Sequence, residues 1–169
     1  DQHYAEDPVL ENFLSAGAPP VFIGFGSMPR KDSRRLLDMF RRATGSNNCR
    51  ALIYLRDEAH SSVIANDCCL TGNVVHAHLL PRCSAIVHHG GAGTTAASAR
   101  AGIPQIVVPH MLDQFYWARR IELLGLGPHP VSRLLLNADA LGRAIKICLS
   151  DTAMQDRCRR TAGKINPPK

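Results

Sequence analysis

The stretch "IVHHGGAGTTAASARAG", residues 86–102, carries the residue types most suited to chemistry. An apolar run ends in His88 and His89, passes through Gly90, Gly91, Ala92 and Gly93, and reaches Thr94 and Thr95 before a helix-like segment. Stripping side chains from a strand-to-helix turn lets a ligand approach the backbone itself. The first amides of the following helix have no partner within it and point outward with the positive end of its dipole, so an anion fits there. Threonine hydroxyls and a histidine add donors suited to a phosphate. Successive strand residues face opposite sides, so one histidine serves the turn. His89, adjacent to the glycines, is expected there, and His88 is expected in packing or a structural hydrogen bond. The plain alternative is a glycine turn that only lets strand and helix pack closely. A dinucleotide fingerprint is also matched by Gly91, Gly93 and Ala96, with Asp113 as the distant acid. That fingerprint belongs in a first strand-to-helix turn, whereas this one follows the fourth expected strand.

A second stretch, "PHMLDQFYWARR" at 109–120, places Asp113 and Gln114 at the start of a helix. Asp113 could simply cap that helix by accepting backbone amides. Alternatively, a carboxylate and an amide side by side can accept from and donate to the vicinal hydroxyls of a sugar. Phe115, Tyr116 and Trp117 are expected to pack helix against sheet rather than form a stacking platform. In "GFGSM", Ser27 belongs to a backbone-dominated turn, since the sequence is not the G-x-S-x-G of a nucleophile elbow. His76, His78, His88, His89 and His110 lack a carboxylate or cysteine at a metal-ligand spacing, so no metal is expected.

The elements that must position these residues alternate. "PVFIGFGS", "RALIYL", "GNVVHA", "SAIVHH" and "PQIVVP" read as strands, with a further brief one near 127–130. Between them, "SRRLLDMFRRAT" puts Leu36, Leu37 and Phe40 on one helical face, "HLLPRC" is a short helical turn, and 92–101 and "DQFYWARRIELLG" are helices. "NADALGRAIKICLSD", capped by Asn137, and "AMQDRCRRTAGKI" are two more. Strands that are apolar throughout have both faces covered, and helices between them make parallel crossovers. The expected fold class is therefore α/β, a doubly wound, mostly parallel sheet with helices on both faces. Residues 1–19, with a short amphipathic helix around Leu10, Phe13 and Leu14, are expected to be a linker segment before a single domain over 20–169. Ligands of such sheets sit beyond the carboxyl ends of the strands. The loops at Gly26 and Ser27, at 88–95 and at 110–114 fall there together.

Composition narrows the classes. The chain has 169 residues, 45% hydrophobic and 20% charged, which suits one globular domain. No apolar run approaches the roughly 20 residues of a membrane span. The six cysteines, at 49, 68, 69, 83, 148 and 158, form no CxxC pair and read as free thiols of a reducing cytoplasm. The net charge of +6 invites nucleic acid, but aromatics are only 5% and none interleave with the basic clusters. No nucleic-acid partner is expected. The chain does not start with methionine, as a piece of a longer protein would not.

Taken together, "PPVFIGFGSM" and then "LLPRCSAIVHHGGAGTTAASARAGIPQIVVPHMLDQFYWARRIELLGLGP" resemble the C-terminal half of a GT-B nucleotide-sugar glycosyltransferase. The likeness is to the branch that holds sterol glucosyltransferases and bacterial enzymes that glycosylate antibiotics and lipids. It implies that His89 binds the donor diphosphate, that Gly91, Gly93, Thr94 and Thr95 hold its phosphates, and that Ser27 lies against it. It implies that Asp113 and Gln114 hold the donor sugar, and that Val75 and His76 hold base and ribose, largely through backbone. Plant members carry a carboxylate for the ribose eight positions after the histidine, where this chain has Ala97, and the usual "PHDxL" is replaced by "VHAHLL". The implied activity is inverting transfer of a hexose from a UDP-sugar or dTDP-sugar, UDP-glucose in type, to a hydroxyl of a lipid, sterol or natural product. The nucleotide sugar is a substrate, so no cofactor is implied. The general base and the hydrophobic acceptor belong to an N-terminal domain, so this chain alone is expected to bind donor without transferring it. At most peripheral membrane contact is implied. A non-catalytic nucleotide-binding module and a nicotinamide-dependent oxidoreductase are the other readings.

Overall fold

The apolar runs form one six-stranded sheet. The computed structural model describes residues 7–25, 33–55, 60–72 and 75–165. Its strands are β1 (Val21–Gly24), β2 (Ala51–Tyr54), β3 (Ser62–Ala65), β4 (Cys68–Thr71), β5 (Ala85–His88) and β6 (Gln105–Val107), in the order β3-β4-β2-β1-β5-β6. All neighbours are parallel except β3, which runs antiparallel to β4 at one edge. Gly24 lies opposite His88 in the β1–β5 pair.

Because side chains alternate, a strand apolar at every position needs cover on both sides. Val21, Ile23, Ala51 and Ile53 face one core with Phe40 and Ala43 of α2 (Ser33–Gly45) and Leu141, Ala144 and Ile145 of α6 (Ala138–Ser150). Ala118 and Ile121 of α5 (Asp113–Leu123) and Met154 and Cys158 of α7 (Thr152–Ile165) complete it. Phe22, Leu52 and Ile86 face the other core with Leu10, Phe13 and Leu14 of α1 (Pro8–Ser15), Leu79 of α3 (His76–Leu79), Leu80 of the following 3-10 turn, and Ala97 and Ala101 of α4 (Ala92–Ala101). Each fully buried large side chain contributes about 1.5–3 kcal/mol.

Helix ends follow their side chains. Asn137 accepts from the Ala140 amide at 2.8 Å to start α6, and Asp151 both follows α6 and accepts from the Met154 amide at 2.8 Å to start α7. Asp7 caps α1 through the amides of Val9 and Leu10 and also accepts from Ser61 N at 2.9 Å. The Arg50 guanidinium lies 4.0 Å from the Phe13 ring centroid and donates to the Ala18 and Phe13 carbonyls. Arg82 pairs with Glu11 at 2.7 Å. The opening helix is thus packed on the sheet and tied to it from three directions.

Two strand expectations need correction. Among the described residues of 72–77 none lies in a strand: Val75 starts α3, and the strands of this region are β3 and β4 instead. Asn66 and Asp67 turn the chain between them, and a bulge near Val63 and Ala65 absorbs the irregular register. Residues 127–130 also form no strand, because Pro128 and Pro130 cannot donate ladder bonds. The chain still runs beside β6 there, with Gln105 N donating to Leu126 O and Val131 N to Val107 O.

Five cysteines are buried and Cys49 is half-buried; none is in a disulfide. Burial pushes the thiols of Cys49, Cys68, Cys69 and Cys158 up to about 11 and that of Cys83 up to about 12. Among the described residues no helix is long and apolar enough to cross a membrane.

Candidate functional site

The strand order reverses between β1 and β5, and parallel α/β sheets hold ligands in the crevice that opens at such a point. Here the crevice is bounded by Phe25 after β1, by the turn 88–95 after β5 and by the loop 108–114 after β6. Gly90 makes the turn possible. Its φ of +92° is left-handed, and a Cβ would stand 2.8 Å from Val107 Cγ1 and 3.1 Å from the Gln114 carbonyl oxygen. The turn after β5 therefore packs directly on the Val107 side chain and the Gln114 backbone at this glycine.

His88 and His89 divide as the alternation of a strand requires. His88 is fully buried; its Nδ1 accepts from Gly90 N at 3.1 Å and its Nε2 lies 3.0 Å from Gln105 Oε1. Burial drives its pKa down to about 3, so the ring stays neutral. His89 is half-buried and turned to the crevice, with Nε2 over Gly91, where a Cβ would come within 2.8 Å of it. His89 Nδ1 is buried and has no partner among the described residues.

α4 begins beside this ring. Gly91 is its N-cap and offers no side chain, and Thr95 N closes the first turn onto Gly91 O at 2.9 Å. Among the described residues nothing accepts from the amides of Ala92, Gly93 and Thr94. A Cβ on Gly93 would touch nothing within 4 Å, and its φ is not left-handed. Neither packing nor backbone conformation therefore calls for glycine at 93. Thr94 is half-buried; Thr95 points inward, and its hydroxyl is buried without a partner among the described residues.

The loop after β6 is built differently. Gln114 Oε1 accepts from His110 N at 2.7 Å and from Met111 N at 3.1 Å, closing the loop on itself. Its Nε2 remains as a donor. Leu112, 83% exposed, is the N-cap residue at φ 49° and ψ −126°, a conformation that favours glycine. Asp113 is exposed and makes no capping hydrogen bond, so the capping alternative is not realised. Phe115 and Tyr116 are 57% and 58% exposed, correcting the expectation that they pack on the sheet. The helix buries Ala118 and Ile121 instead; Tyr116 falls opposite that stripe and Phe115 on its flank. Trp117 is half-buried, edge-on to Tyr116.

His110 was not singled out from sequence as a site residue. Its ring stacks on Phe25 at 5.9 Å, Phe25 stacks on Phe40 at 5.6 Å, and His110 lies 6.5 Å from the His89 ring. Burial, Arg133 and His89 all lower its pKa. Gly90 and Gln105 were also missed. The left-handed turn carried a signal, a glycine directly after the strand histidines. Gln105 carried one too, a polar residue inside an otherwise apolar strand.

Val75 is the N-cap of α3 and His76 its first residue, edge-on to Phe22 at 6.0 Å, with its pKa lowered by burial. Both are half-buried at the carboxyl end of β4. Ser27 lies outside the described residues. Among the described residues no three His, Cys, Asp or Glu side chains gather to hold a metal ion.

Comparisons with known proteins agree on the relationship. Residues 47–166 match the family described as erythromycin biosynthesis protein CIII-like, C-terminal domain. A sterol 3-beta-glucosyltransferase of Arabidopsis thaliana is 37% identical over 82% of this chain and 23% of its own length. The O-mycaminosyltylonolide 6-deoxyallosyltransferase of Streptomyces fradiae is 34% identical over 90% and 36% respectively. The vancomycin aglycone glucosyltransferase of Amycolatopsis orientalis is 44% identical over 71% and 29%. The chain thus spans between about a quarter and a little over a third of the length of these relatives. Among solved structures, the glycosyltransferase VinC in complex with dTDP superposes with a TM-score of 0.73 at 23% identity, over 89% of this chain and 38% of that one. The spinosyn forosaminyltransferase SpnP gives 0.72 at 20% identity, over 92% and 42%. The first set of likenesses establishes kinship and the second the fold: this chain belongs to the EryCIII-like C-terminal domains of GT-B glycosyltransferases.

Proposed function

We propose that this chain is the donor-binding half of an inverting glycosyltransferase, holding a UDP-hexose or dTDP-hexose whose sugar passes to a hydroxyl of a lipid, sterol or natural-product acceptor. One observation carries the reading. Among the described residues nothing accepts from the three amides of Ala92, Gly93 and Thr94 at a helix start, beside an imidazole nitrogen likewise without a partner, in the crevice where the strand order reverses. A diphosphate supplies acceptors for all of them. The open surroundings of Gly93 leave room for a phosphate oxygen against the backbone.

In this reading His89 and the amides of 91–94 bind the diphosphate, with the Thr94 hydroxyl at the surface of the turn. The Thr95 hydroxyl, buried below the turn, and Ser27, two residues past Phe25 in the sequence, complete the set assigned to the diphosphate. Asp113 accepts from sugar hydroxyls while the free amide group of Gln114 donates to them. Val75 and His76 flank base and ribose at the end of β4. The acceptor oxygen attacks the anomeric carbon, the bond from that carbon to the diphosphate breaks, and the acceptor proton passes to a base outside this chain. The nucleoside diphosphate leaves with two electrons and more negative charge on its terminal phosphate, which the amides and His89 stabilise. No metal or cofactor has a step in this scheme. Acceptor and base come from the remainder of an enzyme of the relatives' length, so this chain alone binds donor and transfers nothing. We place that enzyme in the cytoplasm.

Titration calorimetry against UDP, dTDP, UDP-glucose and NADH tests the reading. Binding of a nucleoside diphosphate is expected, with the uridine or thymidine preference read from the ratio. Tight binding of NADH with no response to either nucleoside diphosphate would overturn it.

A further inference from the structure

A buried chain of hydrogen bonds runs beneath the glycine turn without touching the crevice. Gly90 N–H can only donate, so Nδ1 of His88 accepts and the ring proton resides on Nε2. Nε2–H then donates to Gln105 Oε1 at 3.0 Å, which orients the glutamine amide so that its nitrogen donates to Thr95 O at 3.3 Å. All four polar side-chain atoms of this relay have a partner, and both side chains are fully buried. The relay grips the two ends of the stretch 90–95: the one amide turned inward, at Gly90, and the carbonyl that ends the first helical turn, at Thr95. Between those grips lie the amides that face the crevice. Gln105 is in turn seated by Gly127, where a Cβ would fall 1.9 Å from the Gln105 carbonyl oxygen.

We propose that His88 and Gln105 are positioning residues for the diphosphate turn: together they hold Gly90 inward and the first turn of α4 in register, and so fix the direction of the open amides. The proposal rests on the reading of that turn as a diphosphate site. It goes beyond filling a core, because an apolar pair of the same volume would pack as well and leave the Gly90 amide free to rotate toward the crevice. Such a small misdirection of donors is enough to cost roughly tenfold or more in binding.

The test uses UDP and dTDP as probes, with calorimetry for affinity and urea unfolding for stability, on this chain. His88→Leu removes both ring nitrogens; His88→Asn restores an acceptor near the place of Nδ1. Gln105→Glu keeps the acceptor for Nε2–H but removes the donor to Thr95 O. It also sets a carboxylate against the ring and so favours the imidazolium, whose Nδ1–H can no longer accept from Gly90; His89 and His76 are the other titratable neighbours of His88. The expected results are binding weakened roughly tenfold or more in His88→Leu, most of it regained in His88→Asn even where stability is not. Gln105→Glu should bind progressively worse as pH is lowered, beyond any acid trend of the unsubstituted chain. If His88→Leu does not fold, His88→Asn and the acid sensitivity of Gln105→Glu still decide. Affinity that follows stability alone in every variant, or no added acid sensitivity in Gln105→Glu, overturns the positioning role and leaves the diphosphate site standing. A chain that binds neither nucleotide before substitution overturns both.

Discussion

The two strand-end loops that face each other across the crevice are held by opposite means. The turn after β5 is pinned from beneath: a left-handed glycine, a fully buried neutral histidine and a glutamine borrowed from β6 fix it at both ends. The loop after β6 has no buried support of that kind. One glutamine side chain gathers two of its amides, a leucine sits in a glycine-like conformation, and Asp113 is exposed with no partner among the described residues. The difference matches the chemistry proposed for each. A diphosphate is the same in every donor and calls for a rigid array. Sugars differ among donors, and a loop with few internal ties can be altered without disturbing the array.

Substitutions can break or sharpen this contrast. The largest effect is expected for Gly90→Ala. A left-handed conformation costs about 1–2 kcal/mol, and pressing a methyl against Val107 and the Gln114 carbonyl adds about 1–2 more. Urea unfolding should show a loss of about 2–4 kcal/mol. A loss under about 1 kcal/mol would mean the turn is not pinned after all. His89→Ala comes next, with nucleoside-diphosphate affinity reduced by about 1.5–3 kcal/mol and stability little changed. Unaltered calorimetric affinity would remove His89 from the site.

Asp113→Ala probes the looser loop. Since Asp113 caps nothing, stability should stay within about 0.5 kcal/mol. UDP should bind as before, and UDP-glucose should bind about 1 kcal/mol more weakly, the worth of a hydrogen bond. Equal losses for both ligands would take Asp113 away from the sugar. The smallest effect is expected for Leu112→Gly, which relieves about 1–2 kcal/mol of left-handed strain and costs about 0.5–1 in unfolded-chain entropy. A net gain of about 0.5–1 kcal/mol in unfolding free energy, read from a higher urea midpoint, is expected, and a net loss would show that the side chain of Leu112 contributes contacts.

Much of this arrangement was legible in the sequence, because alternation and small residues speak directly. Strands apolar at every position announced a sheet covered on both faces, and "HHGGAGTT" announced a turn that ends a strand and opens a helix. The split between His88 and His89 followed from the twofold period alone. What stayed hidden depends on neighbours distant in sequence. The edge hairpin of β3 and β4 was overlooked because its signal, Asn66 and Asp67 between β-branched and cysteine residues, is short and its register is broken by a bulge. Phe115 and Tyr116 were assigned to packing on their apolarity, whereas the helix's orientation is fixed by Ala118 and Ile121. Gln105 became meaningful only once β6 was seen beside β5, since its partners lie 10 and 17 positions away.

The thiols give the molecule an internal clock. Five of the six lie in the two cores, and burial holds them protonated far above neutral pH, so alkylating or disulfide-exchanging reagents find almost no thiolate while the fold is closed. Cys69 and Cys83 report from the core beneath α1, Cys68, Cys148 and Cys158 from the one beneath α6 and α7. The order in which they become labelled therefore records which side of the sheet opens first, with no probe added to the protein.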